Sequence, residues 1–487
     1  MKKIINLENL LCFFIIICPI LDISSFWFRT KFETNYSIST FIRPIIPIIL
    51  FIYLFFKDKN KYRIKIMGIV SIYVIYAAIH LYIYKKMMTG CTFGTVIHEA
   101  QYIVNYSFMI MNLFIFSSMI LGTPSKIIPK VKMNSEGVPE IIQKSIIISL
   151  SIYIISIYIA IITHTSSTTY IEGIGFKGWF ESGNSISAIL VLSTFIILSF
   201  IMKIENKITR MYIIAILALV GIYLITLIGT RVGLFGFALA IVCFIIAQLA
   251  EKIAVKVGVN KKNFIIFLSI LVLLIILVIT AGSVTIKRRQ HLKNMESTII
   301  DESTGNVSHL TGDLTVIRNK IVNNELEEGF MTEAQKQSVL DLYDYAEKYN
   351  VSNTNTRMQQ LIYHCMLVKN QKNPLLVLFG NGYLINTNEL VWEMEFPAFI
   401  LNFGIIGFLL YMVPFLAILF RALKTMIKNF KNTDAEFTML LLAVILSFIL
   451  STLSGYTFFN SSSMIIIIIA NVLLNNKIKE VNERCEK

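Results

Sequence analysis

Long apolar runs separated by short polar stretches fill most of the 487-residue chain. A helix needs about 20 mostly apolar residues to cross hydrocarbon. Twelve runs meet that requirement, at 8–28, 38–56, 66–84, 101–121, 145–164, 185–202, 211–228, 232–250, 264–284, 396–420, 438–453 and 455–475. The stretches between them are short apart from one, residues 285–395, which has helical patterning of its own. Thr332 and Gln335 stand at capping-box spacing before Val339, Leu340, Leu342 and Tyr343, and TRMQQLIYHCMLVKN reads as another helix with Arg357 and His364 near one face. The pattern predicts an all-α polytopic membrane protein with about 12 transmembrane helices. Its parts are 1–284 with nine spans, 285–395 as one large, partly helical loop, and 396–487 with three spans and a tail.

Composition agrees: 55% of residues are hydrophobic and 15% charged, against roughly 45–50% apolar in soluble domains. The net charge of +14 would suggest nucleic acid if the basic residues lay together. They do not. With the amino terminus inside, the seven cytoplasmic stretches hold 26 Lys and Arg in 82 residues, the short outer stretches 6 in 48 and segment 285–395 11 in 111. This is the positive-inside bias of a membrane protein. It predicts cytoplasmic termini, an outer large loop and no nucleic-acid partner. The first run follows Lys2 and Lys3 as a signal peptide would, but no small-residue cleavage pattern follows Phe26-Trp27, so it reads as an uncleaved span. Cys91 and Cys365 form the one outward pair of cysteines, and no zinc spacing occurs.

Few polar groups fall at mid-depth. Asp22 and Arg43 lie near outer span ends, and His80, the main polar ring within a span, reads as a hydrogen-bonded packing residue, with no intramembrane relay of Asp, Glu or His visible. Aromatic and polar residues gather instead at the predicted outer face. The stretch IEGIGFKGWFESGNSIS brings Trp179 and Asn184 to the start of the sixth span, and Trp27 and Trp392 also map to outer boundaries. Such rings either form an interfacial belt or stack on sugar. Gly229-Thr230-Arg231 joins two spans as a tight hairpin, which puts Arg231 at a helix amino end. There it either snorkels or binds phosphate. Lys287-Arg288-Arg289 opens the large segment and holds either lipid head groups or, with Arg231, a diphosphate, for which the planar guanidinium of Arg288 or Arg289 suits better than Lys287. Arg357 and His364 read as a packing face or as further anion ligands. Glu393 and Glu395, just before the tenth span, read as a solvated rim or as a catalytic carboxylate that takes a hydroxyl proton.

The motifs KGWFESGNSISAI, IGTRVGLFG, FGNGY and EMEFPAFILNFGIIGFLL, in this order and with one large late loop, resemble those of the O-antigen polymerase and O-antigen ligase (Wzy-type) superfamily of bacterial polysaccharide assembly. The resemblance covers the second half of the chain by motif and the first half by topology. It implies a GT-C-like, metal-independent glycosyltransferase in the bacterial cytoplasmic membrane, working at its outer face without a cofactor. The donor it implies is an undecaprenyl-diphosphate-linked glycan, with a flippase and a chain-length regulator as accompanying partners. It also implies diphosphate binding by arginines, for which Arg231 matches by position and Arg288 and Arg357 are the loop candidates. Ligases of the superfamily carry a His before a Gly-x-x-Gly; counting back from Gly404 and Gly407 gives Glu393 instead, which favours a polymerase.

The expected reaction joins a lipid-linked glycan to a second lipid-linked repeat unit. The diphosphate is a good leaving group that cations alone can stabilise, and the chain has no D-x-D or H-E-x-x-H motif. Two rival readings remain at this point: a ligase that attaches finished polysaccharide to a lipid, wall or protein acceptor, and a transporter or flippase of lipid-linked sugars. Against the transporter stand the scarcity of mid-membrane charge and the lack of an evident internal repeat.

Overall fold

In hydrocarbon the backbone has no water to bond, so an apolar run satisfies its N–H and C=O groups by coiling into a helix. The computed structural model describes residues 7–33, 38–57, 61–88, 94–120, 137–170, 173–255, 284–295, 313–351, 355–384 and 393–486, with five separate positions between 265 and 276. Among these, ten helices are long and apolar enough to span a membrane, and they coincide with ten of the twelve predicted spans. The second predicted span is a shorter apolar helix, Ile42–Phe56. Most of the ninth, 264–284, lies outside the described residues.

The chain divides into two compact units. The first comprises Met1–Lys57, Phe108–Arg288 and Phe415–Lys487, and its centre is α6 (Gly183–Phe200). This helix is apolar on every side, the pattern of one surrounded by protein, and all residues from Ser185 to Phe200 are buried. It packs against α5 (Gly137–Ile162), α8 (Arg231–Val255) and the helices Ala435–Leu453 and Ser461–Glu486. Small polar residues let α6 sit close to its neighbours, and Ser187 and Thr194 donate to the carbonyls of Gly183 and Leu190 one turn back. Half-buried Asp22 of α1 (Leu7–Phe32) accepts from Arg43 of α2 (Ile38–Lys57), from the Tyr153 hydroxyl at 2.6 Å and from Ser462 at 2.7 Å. One carboxylate thereby ties four helices together. Three residues beyond α6, Lys203 bonds to Glu436, which also pairs with Lys477 at 2.7 Å.

The second unit comprises Asp58–Ser107 and Arg289–Pro414. Its core joins the end of α3 (Lys61–Met87) to helices of the large segment: Ile83, Tyr84 and Met87 pack with Val339, Leu342, Tyr363 and Leu367. Both helices expected in that segment form. Glu333–Lys348 begins with the Thr332–Gln335 capping box, and Thr356–Gln371 is capped by Asn355.

The helix Glu395–Lys428 is broken at Gly404, whose φ is 70° and ψ 178°. A break leaves the carbonyls just before it without partners in the helix, and the surrounding chain supplies them. Leu401 O accepts from Asn381 N at 2.8 Å, Asn402 O from Gly382 N at 2.9 Å, and Phe403 O from the Tyr76 hydroxyl at 2.7 Å. Further on, Pro414 has no N–H for the carbonyl four residues back, and the Tyr73 hydroxyl takes that oxygen, Leu410 O, at 2.6 Å.

Candidate active site

In the first unit the connection after α5 folds back as a two-stranded hairpin, β1 (Ser167–Thr168) against β2 (Phe176–Gly178). The Tyr223 hydroxyl donates to Phe176 O at 2.9 Å. Tyr223 opens a π-helical turn, Tyr223–Leu227, at the end of α7 (Lys207–Ile222), and such turns recur at functional sites. The expected tight link follows. Gly229 takes a φ of +81°, a region open to glycine at no steric cost.

Thr230 then caps α8. Its hydroxyl accepts from Gly233 N at 3.1 Å and shares a 2.6 Å hydrogen bond with Ser187 of α6. Arg231 is the first residue of α8 and is exposed. Its cation stands where the helix already presents N–H groups and a positive dipole end.

Arg288 belongs to the same place. It lies in the helix Val284–Met295, whose Thr285 hydroxyl donates to Thr230 O at 3.4 Å. The Arg288 guanidinium lies over the Tyr170 ring at 3.3 Å, and the Tyr170 hydroxyl reaches Gly229 O at 3.5 Å. The hairpin tip, the α7–α8 link and the start of Val284–Met295 therefore meet around Tyr170. Neither Arg231 nor Arg288 has a carboxylate partner among the described residues, and the Arg288 Nε is buried without an acceptor. Arg29 and Arg43, in contrast, are paired with Glu181 and Asp22. Two arginines of one cluster thus keep donors for an outside anion.

Along the other arm of the same connection, the Trp179 indole N–H donates to the Thr165 hydroxyl at 2.8 Å. The Trp179 ring packs on Trp27 of α1 at 5.7 Å. Arg29 pairs with Glu181 at 2.8 Å, and the Lys177 ammonium donates to Glu181 O at 2.9 Å. Partial burial pushes the Glu181 carboxyl above its ordinary range, with Arg29 drawing it back, and lowers the Lys177 ammonium. Asn184 is half-buried in the first turn of α6.

In the second unit Arg357 and Glu393, drawn from different parts of the large segment, pair at 3.0 Å and are each about one third exposed. Gln360 accepts from Glu393 N at 3.1 Å. His364 lies deeper on the same helix, is buried, and packs edge-on against Tyr363. Glu395 is buried completely, so the two carboxylates, adjacent in sequence pattern, occupy different surroundings. Arg289 is exposed. Trp392 and Cys91 lie outside the described residues, and Cys365 carries a free thiol.

Sequence reasoning missed one feature of this unit. Helix α4 (Gly94–Ile120) begins early enough to place Glu99 in its second turn, where it is buried against His80 of α3. His80 Nε2 meets Glu99 Oε1 at 2.9 Å, His80 Nδ1 donates to Phe379 O at 2.5 Å, and Glu99 Oε2 accepts from Tyr383 N at 2.7 Å. Because the Phe379 carbonyl only accepts, the Nδ1 proton is spent there. The pair grips FGNGY, residues 379–383, at both ends. The available signal was His80 itself, a polar ring in an apolar run that calls for a partner.

Among the described residues no three or more His, Cys, Asp and Glu gather as metal ligands would. No curated protein matches the chain. The model of one protein family, described as O-antigen ligase like membrane protein, matches residues 6–480.

Proposed function

Because the chain belongs to the O-antigen ligase like membrane proteins, a multi-pass family of polysaccharide assembly with glycosyltransferase-type chemistry, we propose that it is a polysaccharide polymerase acting on lipid-linked glycans. Its substrates are an undecaprenyl-diphosphate-linked glycan and a second lipid-linked repeat unit. The reaction takes place at the outer face of a bacterial cytoplasmic membrane, with both termini inside.

The observation that carries this reading is the pair Arg231, at the start of α8, and Arg288, over Tyr170, with no carboxylate partner for either among the described residues. Guanidinium groups make two parallel hydrogen bonds to phosphate oxygens. In the proposed reaction an acceptor hydroxyl oxygen attacks the anomeric carbon of the donor. The bond from that carbon to the phosphate oxygen breaks, and the diphosphate leaves with the electron pair while the arginines stabilise its charge. The hydroxyl proton passes to a base. In the second unit Glu393 is partly exposed and paired with Arg357, whereas Glu395 is buried, so Glu393 is the carboxylate to test for that role.

The family's likeness to O-antigen ligases favours a second reading, in which the acceptor is a terminal lipid, wall or protein. Purified protein given only lipid-linked repeat unit separates the two, because a polymerase makes a ladder from that substrate alone and a ligase does not. In the same assay Arg231→Ala and Arg288→Ala abolish product while the protein stays in the membrane, and Glu393→Gln lowers turnover more than its effect on stability explains. Wild-type ladders from both arginine variants would remove the diphosphate assignment, and an unchanged rate from Glu393→Gln would retire that carboxylate.

A further inference from the structure

The diphosphate reading leaves the other arm of the 163–182 connection without a task, and its chemistry differs from that of the arginines. Trp27 and Trp179 form a ring pair at 5.7 Å with an interplanar angle of 57°, and Trp27 remains 44% exposed. Tryptophan in an interfacial belt presents its N–H to water and head groups. Trp179 does not, because its N–H is committed to Thr165 and its ring is fixed by that bond and by Trp27. Beside the rings stand Arg29 and Glu181, paired with each other and each more than 40% exposed. An aromatic face flanked by a guanidinium and a carboxylate offers apolar area for the C–H face of a pyranose, with donors and acceptors for its equatorial hydroxyls.

The backbone links this surface to the arginine cluster. Ser167 pairs with Gly178, the residue before Trp179, and Tyr170, which carries Arg288, lies three residues beyond Ser167 at the hairpin tip. Trp179 stands one residue further from the tip, so at roughly 3.3 Å per residue the two places are at most about 13 Å apart along the hairpin. A short saccharide attached to a diphosphate has that reach.

We propose that Trp27, Trp179, Arg29 and Glu181 form a saccharide-binding platform that holds a pyranose of the glycan next to the diphosphate site. Trp27 and Trp179 stack on the ring, and Arg29 and Glu181 bond its hydroxyls. The role of this platform in catalysis rests on the proposed function, whereas its binding of sugar does not, and the test separates them.

The probe is the saccharide repeat unit released from its lipid by mild acid and end-labelled. Equilibrium dialysis measures its binding to the full-length protein in nanodiscs. Trp27→Ala and Trp179→Ala are expected to weaken binding about tenfold each, equivalent to ~1.4 kcal/mol. Trp27→Phe recovers part of the loss, and Arg231→Ala binds the free saccharide as wild type does. Trp27 lies at the surface, so its removal leaves the fold in place, and Glu181→Gln provides a second variant that keeps the shape. Wild-type binding by both alanine variants and by Glu181→Gln, or no binding by the wild type, overturns the platform and leaves any observed ladder synthesis intact. Saccharide binding that depends on the tryptophans in a protein that makes no polymer supports the platform and removes the polymerase reading.

Discussion

Replacing Gly380 by alanine tests the joint between FGNGY and the broken helix. Gly380 has a φ of 90° and a ψ of 166°, a conformation nearly confined to glycine. A Cβ there would lie 2.0 Å from Asn402 O and 2.5 Å from Phe403 N, both backbone atoms that cannot swing aside. Relief requires the loop to retreat by more than an ångström, which disrupts Asn381 N to Leu401 O and Gly382 N to Asn402 O. Backbone strain costs about 1–3 kcal/mol, overpacking about 1–3 kcal/mol and each lost hydrogen bond about 1 kcal/mol.

A total near 4–8 kcal/mol corresponds to a fall of about 8–30 °C, taking about 2–4 °C per kcal/mol for a body of 150–250 residues. Two other glycines calibrate the scale. Gly68 in α3 has no atom within 4 Å of the added carbon, and its alanine variant should melt at or slightly above the wild type. Gly173 has open space but a φ of +75°, so its variant carries strain alone, about 1–2 kcal/mol. Melting curves of the three proteins in one detergent should rank Gly68→Ala, Gly173→Ala, Gly380→Ala from most to least stable. A Gly380→Ala variant that melts with the wild type refutes the docking argument.

Two further outcomes follow from polar groups held away from water. Glu99→Ala and His80→Ala should each cost about 1–3 kcal/mol, since each leaves a buried hydrogen-bonding partner unsatisfied, and the double variant should cost clearly less than their sum; strictly additive losses would show that the two side chains are uncoupled. At Asp434, burial alone raises the carboxyl, but Lys477, the Phe437 N–H and Lys203 outweigh it and hold it below its ordinary range. The folded form therefore keeps its charge at a pH where the unfolded chain takes a proton. Its contribution is complete above the unfolded value of about 3.9 and fades as pH falls through the lower folded value. Asparagine still caps the helix, so the melting gap between wild type and Asp434→Asn should close below about pH 4, and a constant gap would rule out that linkage.

What the sequence made legible was local. Apolar runs specify their own helices because hydrocarbon leaves the backbone no other partner, and Thr332 with Gln335 marks a helix start within four residues. The link at Gly229 was readable for the same reason. Pairings between distant residues were not. Asp22 and Arg43 looked like separate charges near two span ends, whereas they share one half-buried knot with Tyr153 and Ser462. Glu99 was read into a connection because the preceding polar residues hide the early start of α4. Arg357 looked like a free ligand until Glu393, 36 residues later, was found beside it. Trp179 was a candidate from its own motif, but its platform needs Trp27, 152 positions earlier in the chain, on the helix whose Arg29 pairs with Glu181.

The interruption at Gly404 also changes what a repair of that residue would do. A helix-forming side chain there cannot simply straighten the rod, because an added carbon would lie 2.3 Å from the Leu378 carbonyl and the oxygens released upstream are already claimed by Asn381, Gly382 and Tyr76. Continuity would return only by evicting those guests. Evolutionary or engineered attempts to regularise this span should therefore fail alone and succeed only when the 379–383 segment is rebuilt with it.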